Sequence, residues 1–138
     1  MPAMSTIKVS APGSIMLMGE HAVLYGHRAI ACAVDKYMWV TLQPRQDRCV
    51  LIHSALSEYQ SDLDQLKPDD QLSFVLFAIR QVSEKLEYGF ELTITSEFSH
   101  TVGLGSSAAV TAAVVAALAL YAGEDLNKAS LFERALAV

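Results

Sequence analysis

An apolar run from Ala108 to Ala122, interrupted only by Thr111, constrains the fold of this chain most strongly. The run is rich in alanine, and it is shorter than the roughly 20 residues that a helix needs to cross a bilayer. Gly123 and the acidic pair after it end the run. We therefore predict a buried, tightly packed helix and no association with a membrane.

The rest of the chain predicts a sheet and one further long helix. Apolar residues recur at steps of three and four from Leu72 to Leu86, an amphipathic pattern, and Pro68 with two acidic residues marks the helix start. Alternating or continuous apolar patterns predict strands at residues 7–10, 15–18, 29–34, 37–42, 48–53 and 90–95, with a short strand at 58–60. Residues 11–13 and Asp35-Lys36 are expected to separate neighbouring strands. This order predicts an α+β fold, a mixed and mostly antiparallel sheet with helices on one face.

The end of the chain predicts a continuation. A last helix is expected to begin near Asn127, and its pattern runs to Val138 without a stop signal. We therefore expect residues 1–138 to be the N-terminal domain of a longer protein, with a C-terminal domain beyond them.

Composition argues against several functions. The net charge is −5 and the ten Lys and Arg residues are scattered, so no nucleic-acid partner is expected. Cys32 and Cys49 lie apart without CxxC spacing, which is typical of two unpaired thiols in a reducing cytoplasm.

A glycine-rich segment, Gly103-Leu104-Gly105-Ser106-Ser107, precedes the long helix. Free N–H groups at a helix N-terminus, together with the helix dipole, form a site for an anion such as phosphate. The two serine hydroxyls can cap the helix, or they can bind phosphate oxygens or a metal on that phosphate. Both interpretations stay open from these residues alone.

Three known motifs match this segment incompletely. A Walker A loop needs a lysine after the second glycine, and a nucleophile elbow needs G-x-S-x-G; neither is present. Gly103, Gly105 and Ala108 match the dinucleotide fingerprint, and Glu124 lies at the distance of a ribose contact. Two features count against a dinucleotide site. Seven residues separate Thr95 from Gly103, whereas the fingerprint turn follows its strand almost directly, and the long helix is followed by another predicted helix instead of a strand.

Glu20 and His21 follow the predicted strand at 15–18 and precede a loop that ends at Gly26. A neighbouring carboxylate and imidazole can hydrogen-bond a hydroxylated substrate. A solvated glutamate beside a hydrogen-bonded core histidine is the alternative.

Two segments together resemble the motifs of one enzyme family. The family is the GHMP kinases (galacto-, homoserine, mevalonate and phosphomevalonate kinases). Its first motif resembles residues 11–26, Ala-Pro-Gly-Ser-Ile-Met-Leu-Met-Gly-Glu-His-Ala-Val-Leu-Tyr-Gly. Its second motif resembles residues 103–109, Gly-Leu-Gly-Ser-Ser-Ala-Ala. Their order and separation are those of the family, and the first is most similar to its mevalonate kinases. The resemblance implies the family's N-terminal domain, with a β-α-β arrangement like that of ribosomal protein S5 domain 2.

The resemblance also implies roles for individual residues. It implies that ATP is bound through the phosphate loop Gly103, Leu104, Gly105, Ser106, Ser107 and Ala108. Ser107 would be a ligand of Mg²⁺, and Glu20 and His21 would contact the substrate. The implied reaction transfers the γ-phosphate of ATP to the 5-hydroxyl of mevalonate in isoprenoid precursor synthesis. A mevalonate-like small molecule is the implied partner, and homodimer formation stays open.

Two departures from the family pattern limit these roles. Ser14 stands where mevalonate kinases usually carry a lysine, which offers positive charge to the γ-phosphate. Before the second motif, the family often has Pro and Gly, and this chain has Ser99-His100-Thr101 instead. The family's base, an aspartate, is expected beyond Val138, so no catalytic residue is assigned and these residues alone are expected to be inactive. The alternatives are another GHMP kinase, acting on phosphomevalonate, galactose or homoserine, and a non-catalytic ligand-sensing relative.

Overall fold

The computed structural model describes residues 5–19, 22–55, 57–98 and 106–123. These parts of the chain form one sheet and two α-helices, in the order β1 Ile7–Met18, β2 Ile30–Pro44, β3 Cys49–His53, β4 Glu58–Asp62, α1 Ser73–Val82, β5 Phe90–Ser96 and α2 Ser106–Tyr121. Short 3-10 turns lie at Ala22–Tyr25, Asp70–Leu72 and Ser83–Lys85. The helix predicted near Asn127 lies outside the described residues.

The strands lie in the order β1-β2-β5-β3-β4. β3 and β5 are parallel, and the other neighbouring pairs are antiparallel. The two helices pack on the inner face of the sheet, whose fully buried residues are Val40, Leu42, Val50, Ile52, Phe90 and Leu92. The predicted α+β class, with a mixed and mostly antiparallel sheet, is confirmed.

Helix α2 occupies the centre of this arrangement. It packs on β1 and β2 and also contacts α1, and every side chain from Ala113 to Ala119 is buried. Its apolar character on all sides follows from this position between the sheet and a second helix. The predicted buried helix is confirmed, and no helix in the described parts of the chain is long and apolar enough to cross a membrane.

Helix α1 also agrees with its predicted position. The backbone N–H of Leu72 donates to Asp69 Oδ1 at 3.2 Å, so an acidic residue caps the 3-10 turn Asp70–Leu72 that leads into α1. The α-helix itself is shorter than predicted, because 3-10 turns form its first and last residues.

The predicted breaks at residues 11–13 and at Asp35-Lys36 are wrong, because β1 and β2 each run through them. The two breaks lie opposite one another. Pro12 pairs with Tyr37 and Ser14 with Ala33, so three residues of β1 face five of β2. A bulge absorbs the extra residues. The edge position of β1 tolerates Pro12, which has no N–H to donate.

The predicted burial of residues 15–18 is also wrong. Leu17 is 62% exposed and Met18 is 60% exposed. A continuous apolar run indicates a strand covered on both faces, but β5 pairs with β2 only from Met38 to Pro44. The β1–β2 hairpin therefore extends beyond the rest of the sheet in the described parts of the chain.

Tyr121, the last residue of α2, attaches that helix to the start of β5. Its hydroxyl donates to the backbone oxygen of Gly89 at 2.8 Å, and its ring meets the edge of Phe90 with centroids 5.8 Å apart. Burial raises the pKa of Tyr121. The contact places the C-terminus of α2 at the N-terminal end of β5, so the helix runs back along the sheet.

His53 lies between two carboxylates on the sheet face that points away from the helices. Its Nδ1 is 2.5 Å from Glu58 Oε2, and its Nε2 is 2.7 Å from Glu91 Oε1. Hydrogen bonds to Glu58 and then to Glu91 raise the pKa of His53 above its ordinary value. The imidazole of His53 therefore joins three strands, β3, β4 and β5.

The substitution Tyr121→Phe tests the attachment of α2. It removes the side-chain donor to the Gly89 oxygen, which still accepts from the N–H of Arg45 at 3.1 Å, so we expect the free energy of unfolding to fall by about 1 kcal/mol. Tyr88→Phe is the matched control, and we expect it to change stability by no more than about 0.5 kcal/mol. Urea titration measures both, and equal effects of the two variants would contradict the role assigned to Tyr121.

The pH dependence of stability tests the His53 cluster. Because the pKa of His53 is raised on folding, its stabilisation is fully present below its unfolded pKa, about 6.5, and is lost as pH rises through the folded pKa. We expect stability in urea to fall more steeply in the wild type than in His53→Gln as the pH rises above about 6.5. His27→Gln changes an exposed histidine and should keep the wild-type profile. Identical profiles for the wild type and His53→Gln would contradict the prediction.

Candidate functional site

The N-terminus of α2 lies toward one end of the sheet. Its 16 residues span about 24 Å, close to the length of about 23 Å expected of β5 with its seven residues. Since Tyr121 lies at the start of β5, the helix start at Ser106 lies toward the end of β5 that carries Ser96. The unpaired N–H groups of the first helical turn and the positive end of the dipole are therefore at this end of the sheet.

The first motif reaches the same end through β2. The N–H of Tyr37 donates to Glu97 Oε1 at 2.8 Å, and the N–H of Glu97 donates to the backbone oxygen of Tyr37 at 2.9 Å. Pro12 of β1 pairs with Tyr37 on its other side. The chain that leaves β5 toward α2 therefore starts one strand away from Pro12, with Tyr37 of β2 between them.

The structure describes only some of the residues that are predicted to bind ligands. Glu20, His21 and residues 103–105 lie outside the described residues. Ser106 and Ser107 are the first two residues of α2, as predicted, and their side chains are not described; Ala108 is exposed in the same turn. The roles assigned to these residues stay predictions.

Ser14 lies on β1 and is exposed at the irregular part of the β1–β2 pairing. The position that the family pattern gives to a lysine therefore reaches the surface at the same end of the sheet as the start of α2.

Gly19 directs the chain from β1 toward Glu20. Its φ is +90°, and a Cβ there would lie 2.5 Å from the backbone oxygen of Arg28 and 2.7 Å from Ala29 Cα. Both the left-handed conformation and the lack of space require glycine. The sequence marked this residue only as part of a motif, although a glycine directly after an apolar strand is a recognisable signal.

Sequence reasoning missed Glu97, which lies just beyond the predicted strand at residues 90–95. Its two bonds to Tyr37 hold the lead-in to the glycine-rich segment against β2. No periodicity links these two residues, which are 60 positions apart.

The described residues include no group of three or more His, Cys, Asp or Glu side chains arranged to hold a metal ion. Mg²⁺ commonly binds one or two protein oxygens together with phosphates and water, so a nucleotide-bound ion does not need such a group.

Two models of known families match the parts of the chain that carry the two motifs. Residues 73–138 match the family model described as GHMP kinases N terminal domain. Residues 3–44 match the galactokinase galactose-binding signature. The first match contains residues 103–109, and the second contains residues 11–26.

One curated relative and two solved structures of kinases are similar to this chain. A mevalonate kinase from Archaeoglobus fulgidus is 39% identical over 127 residues, which cover 91% of this chain and 42% of the relative. The structure of Methanococcus jannaschii mevalonate kinase shares the fold with a TM-score of 0.84 and 24% identity, over 97% of this chain and 46% of that one. Streptococcus pneumoniae phosphomevalonate kinase, solved with phosphomevalonate and AMPPNP, matches with a TM-score of 0.76 and 24% identity, over 94% of this chain and 41% of that one.

The chain therefore spans less than half the length of these relatives. The matched family model and the curated relatives place this chain with the N-terminal domain of the GHMP kinase family.

Proposed function

We propose that the protein is an ATP-dependent kinase that transfers the γ-phosphate of ATP to the 5-hydroxyl of mevalonate. The observation that carries the kinase assignment is that residues 12–14 of the first motif and the start of α2 both lie toward the end of the sheet that carries Ser96. The curated mevalonate kinase that is 39% identical over most of the chain supports the choice of mevalonate.

The start of α2 supplies the proposed phosphate site. The N–H groups of its first turn point toward the end of the helix, where no acidic residue of that turn opposes an anion. We assign the β- and γ-phosphates to these groups and to residues 103–105. The hydroxyls of Ser106 and Ser107 complete the proposed set of oxygen ligands, with Ser107 as the candidate ligand of Mg²⁺.

Phosphoryl transfer depends on positioning and on neutralising charge more than on covalent chemistry by the protein. A bound Mg²⁺ would neutralise phosphate charge. The chain's own residues would hold the phosphates at the start of α2 and the acceptor hydroxyl near Glu20 and His21. The neighbouring carboxylate and imidazole are assigned to the hydroxyl groups of the acceptor.

The base is assigned to sequence beyond Val138. The relatives are more than twice as long as the segment that they share with this chain. We propose that residues 1–138 form the N-terminal domain and that they are inactive alone. A cytoplasmic location and a homodimer stay predictions.

A sugar kinase is the second candidate. The match of residues 3–44 to a galactose-binding signature favours it. Against it stand Ala22 and Val23, which follow Glu20-His21 where galactokinases usually carry Thr and Asp. A ligand-sensing relative without turnover is a further alternative, because Ser14 removes the positive charge of the family lysine.

A substrate panel tests the proposal. The complete polypeptide encoded by the gene is incubated with ATP, Mg²⁺ and either mevalonate, phosphomevalonate, galactose or homoserine, and ADP release is measured. We expect turnover with mevalonate, and none from residues 1–138 alone. Turnover with galactose instead would move the assignment to a sugar kinase, and ATP binding without any turnover would favour the sensor. Tight NADH binding without competition from ATP would refute the kinase assignment.

Two glycines test the proposed acceptor side. Gly19→Ala places a methyl group against the backbone of Arg28 and Ala29, so we expect it to displace Glu20 and to lower kcat/KM for mevalonate by more than about 10-fold. Gly26→Ala is the matched control, because Gly26 also has a positive φ, +83°, but no atom lies within 4 Å of its added Cβ. We expect Gly26→Ala to fold and to keep kcat/KM within about threefold. Equal activities of the two variants, both folded by circular dichroism, would contradict the assignment of this segment to the acceptor.

A further inference from the structure

Large apolar side chains are concentrated at the end of the β1–β2 hairpin that extends beyond the rest of the sheet. Among the described residues, nine large apolar side chains are exposed, and six of them lie between positions 15 and 30. The other three are scattered over β2, α1 and α2. We call the group of six the hairpin patch; it consists of Ile15, Leu17, Met18, Leu24, Tyr25 and Ile30.

Strand pairing places part of the hairpin patch side by side. Met18 pairs with Ile30, and Ile15 pairs with Cys32, which is also exposed. The Cβ atoms of directly opposite residues in an antiparallel pair are about 4.5–5.5 Å apart. Apolar side chains from β1 and β2 therefore lie next to one another across the hairpin.

The connection between the two strands carries the rest of the hairpin patch. Its short 3-10 turn contains Leu24, which is 78% exposed, and Tyr25, which is 81% exposed. Gly19 lies so close to Arg28 and Ala29 that an added Cβ would be 2.5 Å and 2.7 Å from their backbone atoms. The first and last residues of the connection are therefore in contact, and the turn is held at the end of the hairpin.

A cluster of exposed apolar side chains indicates a contact surface. Single exposed apolar residues are normal on a protein, whereas a large apolar cluster marks a surface that binds another molecule or domain. In the described parts of the chain, β5 pairs with β2 only from Met38 onward and does not reach this end of the hairpin. Because removal of these side chains from water is favourable, the hydrophobic effect would hold a partner that covers them.

The composition of this segment favours a protein partner over a lipid surface. Residues 15–30 contain only one Arg or Lys residue, Arg28, together with the acidic Glu20. Segments that bind anionic lipid usually carry several basic residues beside their apolar face. We therefore consider a polypeptide as the partner of the hairpin patch.

The lengths of the relatives indicate which polypeptide this is. The aligned segment makes up 42% of one relative and 46% of another. More than half of each relative lies outside the part shared with this chain, which is enough for a second domain. A domain tethered to the same chain has an effective concentration on the order of millimolar, which favours it over a second copy that is free in solution.

We propose that the hairpin patch is the docking surface for a C-terminal domain encoded after Val138. The apolar side chains of the β1–β2 hairpin are then buried between the two domains. This docking concerns the assembly of the protein and does not depend on the proposed kinase activity.

Photo-crosslinking in the complete polypeptide tests what covers the hairpin patch. The variant Tyr25→p-benzoylphenylalanine places a photoreactive group on the most exposed side chain of the patch. Gln60→p-benzoylphenylalanine is the control, because Gln60 is exposed on β4 at the opposite edge of the sheet. After irradiation and proteolysis, mass spectrometry identifies the attached peptides. We expect the Tyr25 variant to attach peptides from beyond Val138, and the Gln60 variant to attach none of them.

The other outcomes of this experiment would overturn the proposal. A crosslinked species of twice the mass on a denaturing gel would show that a second copy covers the patch. Attachment only within residues 1–138 would show that this part of the chain covers itself. Absence of attachment at Tyr25, or equal attachment from both positions, would remove the evidence for a specific docking surface.

A polar substitution tests whether burial of the hairpin patch stabilises the docked domain. Leu17→Gln changes a side chain that is 62% exposed among the described residues, so the fold of this part of the chain should persist. In the complete polypeptide, we expect hydrogen exchange of amides beyond Val138 to become about 10-fold faster, because the docked domain loses apolar contact.

Leu120→Gln is the matched control for this substitution. It makes the same change at a leucine of α2 that is 43% exposed and lies outside the hairpin patch. We expect exchange beyond Val138 to stay within about threefold of the wild type. Unchanged exchange in Leu17→Gln, with its fold verified by circular dichroism, would contradict docking at the hairpin patch.

Discussion

The close packing of α2 on β1 and β2 is the interaction on which the rest of the structure depends. Seven consecutive side chains from Ala113 to Ala119 are buried, and most of them are small. Small side chains allow a helix backbone to lie near a sheet, and the Tyr121 hydroxyl then holds one end of the helix at Gly89. The direction of the helix follows from this contact. The position of its N-terminus, where an anion would bind, follows from the direction.

The β1–β2 pairing is the second determinant of the site. Its bulge lengthens β2 by two residues relative to β1 between Pro12 and Ser14. Ser14 and Lys36 are both exposed in this irregular part of the pairing. Bulges commonly re-aim side chains next to functional sites. In a regular hairpin, three residues of β1 would face three residues of β2, and the two additional residues of β2 would be absent.

Several elements were predictable because their cause is local. These elements are the alternation of β5, the amphipathic stripe of α1 and the continuous apolar character of α2. Each reflects contacts within a few residues or with one buried face. The breaks at residues 11–13 and at Asp35-Lys36 were local signals too, and they were misread. Pro, Gly and charged residues end strands when the strand is isolated, but an edge strand and a bulge accommodate them.

The exposed end of the hairpin shows the limit of a local pattern. The run from Ile15 to Met18 predicts burial by composition, yet burial depends on what another element covers, and β5 ends before it reaches this segment. The bonds between Tyr37 and Glu97 are equally invisible to a local pattern, because their partners are far apart in the chain.

By itself, the sequence determined the fold class, the buried helix and the two motifs whose order and spacing identify the family. These follow from periodicity and from residue types that few other folds combine. Only the tertiary structure decided that α2 runs back across β1 and β2, and that residues 12–14 of β1 face residues 33–37 of β2. The physical reason is that strand register and helix direction are set by contacts between distant residues, such as Tyr121 with Gly89 and Pro12 with Tyr37.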